Sequence, residues 1–448
     1  MFIVKYKTQT FSRIIQSYAM HIRTDGKIIL LFTLLILQVM IVMIYVINTT
    51  PSSKLITPTR HEAVSFVNIH SAEALYKNEL KYDKAQTING EFTLKDTKTI
   101  KFFETYSNFL CWKDGVNNRG MRKNSTIYSK KCICNQGWHG SDCGQPEVVW
   151  RAIMATKQLV KLKQRKWMRR IIYTLCINQY NSAISEIIVK ELYNVVDLFI
   201  ICDSSDSEYN FNYSLAKGLL KVEQKKILYI NTFTKVEKPF KLIFKYIWNK
   251  IHSVIKNIRD DDIIVMTDPE QILNSKALMF LKTYDGWSQP IGFRLRWLVF
   301  GFFWQHPLKT TIKKGAFTIG FMQEAYRNNN LLLQKELVDE NSERDELGLV
   351  IGDLNHYGGW YCHYCQIPEN IMSSIKWKNN SKIINPDIII DKNYIEELIG
   401  MGMWLNGKTS LLRVPRYQDF YFAPEVVLNN SQKYDWLLQN FYVKLDYD

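Results

Sequence analysis

The chain has 448 residues, of which 46% are hydrophobic and 13% aromatic, and a formal net charge of +15. This length fits one large domain or two ordinary ones, and the apolar content is sufficient for a packed core. The basic residues are spread along the chain without a nucleic-acid-binding motif, which argues against a nucleic-acid-binding protein. Such a charge is more typical of a basic surface near anionic lipid or a charged small molecule.

A membrane anchor is predicted near the N-terminus. Residues 1–27 are polar and basic, and residues 28–47 form the uncharged run IILLFTLLILQVMIVMIYVI. This run has the length of about 20 residues that crosses a bilayer, and no small-residue cleavage site of a signal peptide follows it. Because basic residues precede the run, residues 1–27 are expected to be a cytoplasmic tail, with the C-terminal bulk lumenal or extracellular. The alternative, a buried core helix, is disfavoured by the length and by the lack of a polar stripe.

The next part of the chain is predicted to be a stem and a small disulfide-bonded segment. Residues 48–105 are polar and predicted to be the stem, and residues 106–146 resemble the second half of an EGF-like module. The segment contains the four cysteines Cys111, Cys132, Cys134 and Cys143. A zinc site is the alternative, but a lumenal location favours two disulfides, which would stabilise a segment too short to bury a core. Residues 147–168 are predicted to be a connector.

From residue 169 onward, apolar strands alternate with an amphipathic helix. This β-α-β repetition predicts an α/β domain over residues 169–448 with a mostly parallel central sheet. Strands are predicted over residues 170–175, 195–202, 226–230 and 263–266, and a helix over residues 183–192.

An acidic turn follows the last of these strands. Asp268 and Glu270 flank Pro269, which cannot donate to a sheet ladder and therefore ends the strand. Ligands of α/β sheets bind at the carboxyl ends of strands, and two carboxylates there can hold a divalent cation that bridges to a diphosphate. On spacing alone, a solvated acidic turn is the favoured interpretation, because Asp-x-Glu is a common pattern.

Six segments resemble glycosyltransferase family 17 in the family's order and at similar separations. The resemblance extends from about residue 169 to residue 442, and the anchor, the stem and the EGF-like half are also similar to the family. The segments are RRIIYTL at 169–175, ELYNVVDLFIICDSS at 191–205, FLKTYDGW at 280–287, GFFW at 301–304, NHYGGWYCHYC at 355–365 and APEVVLNN at 423–430.

The resemblance implies a GT-A type fold and transfer of N-acetylglucosamine from UDP-N-acetylglucosamine with inversion. It implies the core β-mannose of N-glycans as acceptor, β-1,4 linkage to give a bisecting sugar, and a Golgi location as a single-pass type II membrane glycoprotein. It also implies Mn²⁺ as cofactor, which would offset the charge on the departing UDP. A homo-oligomer is a further expectation.

The resemblance also implies roles for particular residues. The family's acidic block reads Asp-Asp-Ala-Asp-Glu, and this chain has Thr267-Asp268-Pro269-Glu270-Gln271 at those positions. Asp268 is identical and Glu270 keeps a carboxylate, so both are expected to bind the metal and serve catalysis.

The expected donor-binding residues lie on other segments. Asp203 and Ser204 match a family Glu and Ser and are expected near the uridine, although Ser204 is equally suited to cap a helix. Arg296 matches a family Arg and is expected to face the diphosphate. His356 matches a family His before a Gly-Trp pair and is expected to bind the metal or the pyrophosphate, with a structural histidine as the alternative.

The catalytic base and the role of Cys362-x-x-Cys365 stay open at this stage. Asp353 is taken as the catalytic candidate, and Asp285, Glu369 and Asp391 are the other candidate bases. The two cysteines are expected to form a structural disulfide, with each other or with Cys176 or Cys202. A redox pair and half of a zinc site are the alternatives.

Three functions therefore remain in view. The first is an active N-acetylglucosaminyltransferase, the second a related transferase with a different donor or acceptor, and the third a non-catalytic glycan-binding Golgi protein.

Overall fold

The structure is a computed structural model that divides into two compact units, Met1–Glu62 and Ala63–Asp448. It describes residues 33–43, 66–69, 86–87, 92–106, 109–123, 131–156, 160–177, 180–203, 226–232, 255–326, 348–377, 390–416 and 421–443.

In the N-terminal unit, residues 33–43 form a helix whose apolar side chains are exposed, Leu37 by 61%. These residues are the middle of the predicted anchor, and the remainder of residues 28–47 lies outside the described residues. Within the described part of the chain, no helix is both long and apolar enough to span a bilayer.

The second unit has a mixed β-sheet, which contains twelve strands over the described residues. The strands, numbered along the chain, are β1 (Phe66–Ile69), β2 (Gln86–Thr87), β3 (Phe92–Thr93), β4 (Phe103–Tyr106), β5 (Phe109–Trp112), β6 (Trp138–His139), β7 (Gln145–Pro146), β8 (Lys163–Gln164), β9 (Ile171–Ile177), β10 (Leu198–Asp203), β11 (Ile227–Thr232), β12 (Ile255–Lys256), β13 (Ile263–Thr267), β14 (Gln271–Leu273), β15 (Tyr284–Asp285), β16 (Ile291–Val299), β17 (Trp304–Thr318), β18 (Leu349–Ile351), β19 (Gly359–His363) and β20 (Leu412–Arg413). The large sheet runs β14-β19-β16-β17-β13-β9-β10-β11-β1-β2, with β18 beside β16 and β20 beside β17.

The helices lie between these strands. Those of the second unit are α1 (Asn118–Lys123), α2 (Glu147–Ala155), α3 (Ser182–Leu192), α4 (Ser275–Thr283), α5 (Ile319–Tyr326), α6 (Pro368–Trp377), α7 (Lys392–Met401), α8 (Glu425–Asn429) and α9 (Asp435–Leu438), and a 3₁₀ helix spans Thr99–Phe102.

The predicted α/β class is confirmed, although the sheet is mixed. Strands β13, β9, β10 and β11 are parallel neighbours, as expected for apolar strands with crossover connections. The long strand β17 then pairs antiparallel with both β13 and β16, so the other half of the sheet departs from the predicted mostly parallel order. The predicted strands and helix are β9, α3, β10, β11 and β13, with ends that differ by at most three residues. The GT-A assignment stays a prediction.

Strand β9 separates two parts of the core. Ile171, Tyr173 and Leu175 pack in the larger cluster of buried side chains, whereas Ile172 and Cys176 pack in a second cluster. This alternation follows from the two-residue period of a strand. A strand with apolar residues on both faces must lie between two layers, which places β9 and its neighbour β13 in the middle of the unit.

A buried ion pair joins the beginnings of β9 and β13. Arg170 donates from Nε to Asp262 Oδ1 at 2.8 Å and from Nη2 to Oδ2 at 2.6 Å. Neither residue is more than 1% exposed. The backbone N–H of Ile263 also donates to the carbonyl of Arg170 at 2.8 Å. These contacts fix the position of β13, whose other end carries the acidic turn.

The small segment at residues 106–146 is stabilised by the disulfides Cys111–Cys132 and Cys134–Cys143, as predicted. It is attached to the sheet unit where Tyr284 Oη, after helix α4, donates to Asp142 Oδ2 at 2.6 Å. The structure also places β1, which lies within the range predicted as stem, beside β11 in the large sheet.

Candidate functional site

The acidic turn lies between β13 and β14. The backbone N–H of Gln271 donates to the carbonyl of Asp268 at 3.0 Å, and its side-chain amide donates to Asp268 Oδ2 at 2.8 Å. The hydroxyls of Tyr173 and Thr267 lie 2.6 Å apart beneath the turn. Asp268 is exposed, whereas Glu270 is only 8% exposed. The turn therefore presents one carboxylate outward and holds the other against the protein.

The inner carboxylate contacts a histidine that is distant in sequence. Glu270 Oε2 lies 2.7 Å from His363 Nδ1, and Tyr361 Oη lies 2.9 Å from the same nitrogen. Strand β19 brings the imidazole there, because β14 pairs with β19 and the N–H of Cys362 donates to the carbonyl of Glu270 at 2.8 Å. Sequence reasoning assigned no role to His363, although its position between two cysteines in a glycine- and tryptophan-containing segment was a usable signal.

Cys362 and Cys365 form a disulfide with each other, which is one of the predicted pairings. Cys176 and Cys202 are buried and form no disulfide. The disulfide closes the chain around His363 and Tyr364, so it restrains the imidazole that contacts Glu270.

Aromatic side chains continue from His363 across the same part of the sheet. The imidazole of His306 stacks on Trp297 with ring centroids 3.8 Å apart, and Trp404 stacks on His363 at 5.5 Å. Tyr361 is the register neighbour of Trp297 on the adjacent strand. We name these five side chains the ring cluster: Trp297, His306, Tyr361, His363 and Trp404.

His306 is a neutral member of the ring cluster. Burial lowers its pKa, and the nearby His363 lowers it further. Its Nδ1 accepts the backbone N–H of Leu308 at 3.2 Å. The imidazole therefore carries its proton on Nε2 near neutral pH.

Asp268 and Glu270 at the acidic turn are the predicted ligands of a divalent cation. Over the described residues, no group of three or more His, Cys, Asp or Glu side chains is arranged to hold a metal ion. Cations such as Mg²⁺ and Mn²⁺ favour oxygen ligands and are often bound by one or two carboxylates together with water and substrate phosphates. Asp268 and Glu270 fit this second kind of site, and metal binding stays a prediction.

Asp353 and His356 belong to a different cluster. Asp353 Oδ1 accepts the backbone N–H groups of Asn355 and His356, each at 2.7 Å, and His356 Nδ1 lies 3.1 Å from both carboxylate oxygens. Burial raises the pKa of Asp353, but these hydrogen bonds outweigh burial and lower it overall. The structure thus forms a tight carboxylate–histidine loop after β18.

Glu147 connects this loop to the disulfide-bonded segment. Glu147 begins α2, contacts His139 of that segment and accepts Arg151 Nε at 2.6 Å. Glu147 Oε1 also lies 3.9 Å from His356 Nε2. Burial raises the pKa of Glu147, and His139 and Arg151 outweigh burial to lower it. Asp353 and His356 are therefore grouped with Glu147, whereas Asp268 and Glu270 are grouped with Gln271 and His363.

Of the other predicted donor-binding residues, the structure describes Arg296 fully and Asp203 in its backbone. Arg296 is 3% exposed, donates to the carbonyl of Tyr421 at 3.2 Å and to Gln305 Oε1 at 3.1 Å, and lies over the ring of Tyr357. Asp203 ends β10 next to Ile177 of β9, so it lies at the sheet edge where β13 also ends. The side chain of Asp203 and all of Ser204 lie outside the described residues.

The three other candidate bases have structural partners. Asp285 forms ion pairs with Arg165 and Arg169, and Glu369 forms one with Lys392. Asp391 caps helix α7 by accepting the N–H of Tyr394 at 2.8 Å.

Comparison with known proteins indicates which class of protein this chain resembles. The model of Glycosyltransferase family 17 matches residues 151–328, which include β9, β13 and the acidic turn. The chain is 27% identical over 358 residues to the β-1,4-mannosyl-glycoprotein 4-β-N-acetylglucosaminyltransferases of Mus musculus, Rattus norvegicus and Homo sapiens, with 74% of this chain covered. The matched regions cover 65–66% of the length of those relatives. These matches indicate the glycosyltransferase class. Within that class they confirm the predicted resemblance to family 17.

Two solved structures are also similar at a low level. S. aureus TarS has a TM-score of 0.23 at 10% identity, covering 52% of this chain and 42% of TarS. S. aureus TarS 1-349 in complex with UDP has a TM-score of 0.23 at 12% identity, covering 52% of this chain and 70% of that chain. Similarity this low supports no conclusion about fold or ligand.

Proposed function

We propose that the protein transfers N-acetylglucosamine from UDP-N-acetylglucosamine to the core β-mannose of N-glycans, in β-1,4 linkage and with inversion. The observation that carries the proposal is the family match over residues 151–328, because that range contains strand β13 and the turn with Asp268 and Glu270 that follows it. The names of the similar proteins supply the donor sugar, the acceptor and the linkage.

In this proposal the acidic turn holds the diphosphate end of the donor. Asp268 presents an exposed carboxylate whose orientation is fixed by Gln271, and Glu270 presents a carboxylate that His363 holds in place. These two residues would bind Mn²⁺, which when present neutralises charge on the departing UDP. Asp203 ends its strand at the same sheet edge, which supports its proposed place near the uridine.

Inversion requires a base that accepts the proton of the attacking mannose hydroxyl. Asp353, the predicted candidate, accepts three hydrogen bonds and has a lowered pKa, so it is a weaker base than an ordinary carboxylate. Its proposed role is therefore tested separately from that of Asp268. Loss of transfer in Asp353→Asn with unchanged UDP binding would support a base, whereas unchanged transfer would remove this assignment.

The proposed setting is a single-pass type II protein of the Golgi membrane. It rests on the basic residues 1–27 and the uncharged run at 28–47. Protease treatment of sealed membrane vesicles provides the test, because a lumenal transferase domain is protected until detergent is added.

One observation favours a second candidate, a family member with another donor or acceptor. Thr267 and Gln271 replace two charged positions of the family's acidic block, and both side chains make internal hydrogen bonds here. The test is to incubate the full-length protein in detergent with Mn²⁺, a biantennary N-glycan and a panel of UDP-sugars. Addition of one N-acetylhexosamine to the core mannose supports the first proposal. Addition of another sugar, or addition at another position, supports the second.

Absence of both transfer and metal-dependent UDP binding in the folded protein would favour the third function, a non-catalytic glycan-binding protein.

A further inference from the structure

We infer that the ring cluster beside Glu270 is a binding site for a hexopyranose ring. This inference rests on the proposed function and deepens it, because the two sugars of the proposed reaction, the donor's N-acetylglucosamine and the acceptor's mannose, share this chemistry.

The ring cluster lies beside the acidic turn. In the sheet, β10 with Asp203 lies on one side of β13, and β16 and β19 with the ring cluster lie on the other. The acidic turn lies between them, and His363 of the cluster contacts Glu270 directly. A donor with its uridine near Asp203 and its diphosphate at the turn would therefore extend its sugar toward the rings, where the acceptor must also approach.

The ring cluster packs against the core, with Tyr361, Trp297 and Trp404 at its boundary, but it is not fully buried. On β19, Trp360 and Cys362 are buried, whereas Tyr361 and His363 are partly exposed on the opposite face. Trp297, His306 and Trp404 are also partly exposed, although they belong to separate segments of the chain. Five neighbouring rings that keep exposed surface form a largely apolar patch, and such patches often mark binding sites.

The ring cluster contains a hydrogen-bond donor without a partner among the described residues. This donor is the buried indole Nε1 of Trp297. Buried polar groups nearly always have a partner, so a group of this kind is suited to a ligand hydroxyl or a bound water. The neutral His306 offers a further donor at Nε2, since its Nδ1 already accepts a backbone N–H.

The chemistry of the cluster matches an uncharged sugar. A pyranose has C–H faces that pack on aromatic rings and a rim of hydroxyls that hydrogen-bond to indole, imidazole and carboxylate groups. A cationic ligand is disfavoured, because Lys313 Nζ already lies 5.5 Å from the ring of Tyr361. The cluster thus combines apolar faces with polar edges beside the proposed transfer site.

The test replaces Trp404, which stacks on His363 and also meets Trp297 and His306 edge-on. We would compare Trp404→Ala and the ring-retaining Trp404→Phe with wild type, all as full-length protein in detergent. Trp167→Ala is the matched control, because Trp167 is 40% exposed and is not a member of the ring cluster. Its backbone forms an isolated β-bridge with Lys98. The Kd of UDP with Mn²⁺ is measured for each variant to show that the fold is intact.

The kinetic outcomes separate the two sugar sources. A rise of about tenfold or more in the KM for the biantennary glycan in Trp404→Ala, smaller in Trp404→Phe, supports the inference for the acceptor. The same rise in the KM for UDP-N-acetylglucosamine, with an unchanged Kd for UDP, supports it for the donor sugar. Constants within twofold of wild type in a folded Trp404→Ala would overturn the inference, as would a selective loss of UDP binding.

A binding measurement keeps the inference separate from the proposed function. Saturation-transfer NMR with methyl β-D-mannopyranoside and methyl N-acetyl-β-D-glucosaminide requires no turnover. A signal that Trp404→Ala loses and Trp167→Ala keeps supports the sugar site. This holds even if wild type transfers no sugar, because absence of transfer would refute the proposed function and not the binding site. Absence of a signal for either sugar with wild type, or a signal that Trp404→Ala retains, would overturn the inference.

Discussion

The buried pair of Arg170 and Asp262 allows a quantitative test of how the site is supported. Asp262 is fully buried and accepts two hydrogen bonds from Arg170 and one from the backbone N–H of Arg259 at 2.8 Å. Asp262→Asn keeps the shape of the side chain but removes its charge and one of its acceptor oxygens. It therefore leaves a buried guanidinium without its close counter-ion.

The expected cost is about 3–5 kcal/mol in the free energy of unfolding, the range measured when one partner of a buried ion pair is removed. Arg170 keeps the carbonyls of Leu94 and Asn257 and the exposed Asp96 as partners, so the cost should not exceed this range. Urea denaturation followed by circular dichroism measures the change. A loss in UDP affinity is expected with it, because the pair positions the strand that ends at Asp268.

Asp260→Asn is the matched control, since Asp260 lies in the same run of three aspartates but is exposed. Its free energy of unfolding is expected to stay within about 0.5 kcal/mol of wild type. The reasoning is refuted if Asp262→Asn costs less than about 1 kcal/mol, or no more than Asp260→Asn.

Two further predictions follow from the site. Replacing Cys362 and Cys365 together by Ser is expected to cost about 2 kcal/mol of stability from loop entropy, as urea denaturation would show. It is also expected to lower kcat more than UDP affinity, because His363 loses its restraint, and an unchanged kcat would contradict this. For Asp353, the lowered pKa means that its ionised form stabilises the fold above the ordinary value of 3.8, and that this contribution is lost as pH falls through the lowered pKa. Asp353→Asn is therefore expected to flatten the pH dependence of the free energy of unfolding below about pH 4. If the free energy of unfolding of the variant falls with pH as steeply as that of wild type, the lowered pKa of Asp353 is refuted.

The parallel half of the sheet could be predicted from sequence because each of its strands is a continuous run of apolar, mostly β-branched residues. Ile171–Ile177 and Ile263–Thr267 are buried at every position, so pattern and burial agree. The other half could not be predicted, because β17 reads WQHPLKTTIKKGAFT, with charges and a proline but no clean alternation. Its two antiparallel pairings connect distant segments, and local sequence carries little information about such register.

The candidate site also has a part that could be predicted from sequence and a part that could not. The acidic turn could be predicted, since Pro269 ends a recognisable strand. The contact of Glu270 with His363 could not, because it joins residues 93 positions apart through the pairing of β14 with β19. His356 was expected at the donor site from motif similarity, and Asp353 was the candidate catalytic base. The structure groups them with Glu147 because α2 packs beside β18, a tertiary contact without a local sequence signal.

The most direct test of the proposed function is a transfer assay on three proteins: wild type, Asp268→Ala and the exposed control Asp260→Ala. Each full-length protein is incubated with Mn²⁺, UDP-N-acetylglucosamine and a biantennary N-glycan, and the glycan is followed by mass spectrometry and linkage analysis. We predict one N-acetylglucosamine added to the core mannose in β-1,4 linkage by wild type and Asp260→Ala. Asp268→Ala is expected to give neither transfer nor metal-dependent UDP binding. Transfer by Asp268→Ala at the wild-type rate, or no transfer by folded wild type with any UDP-sugar, would contradict the account.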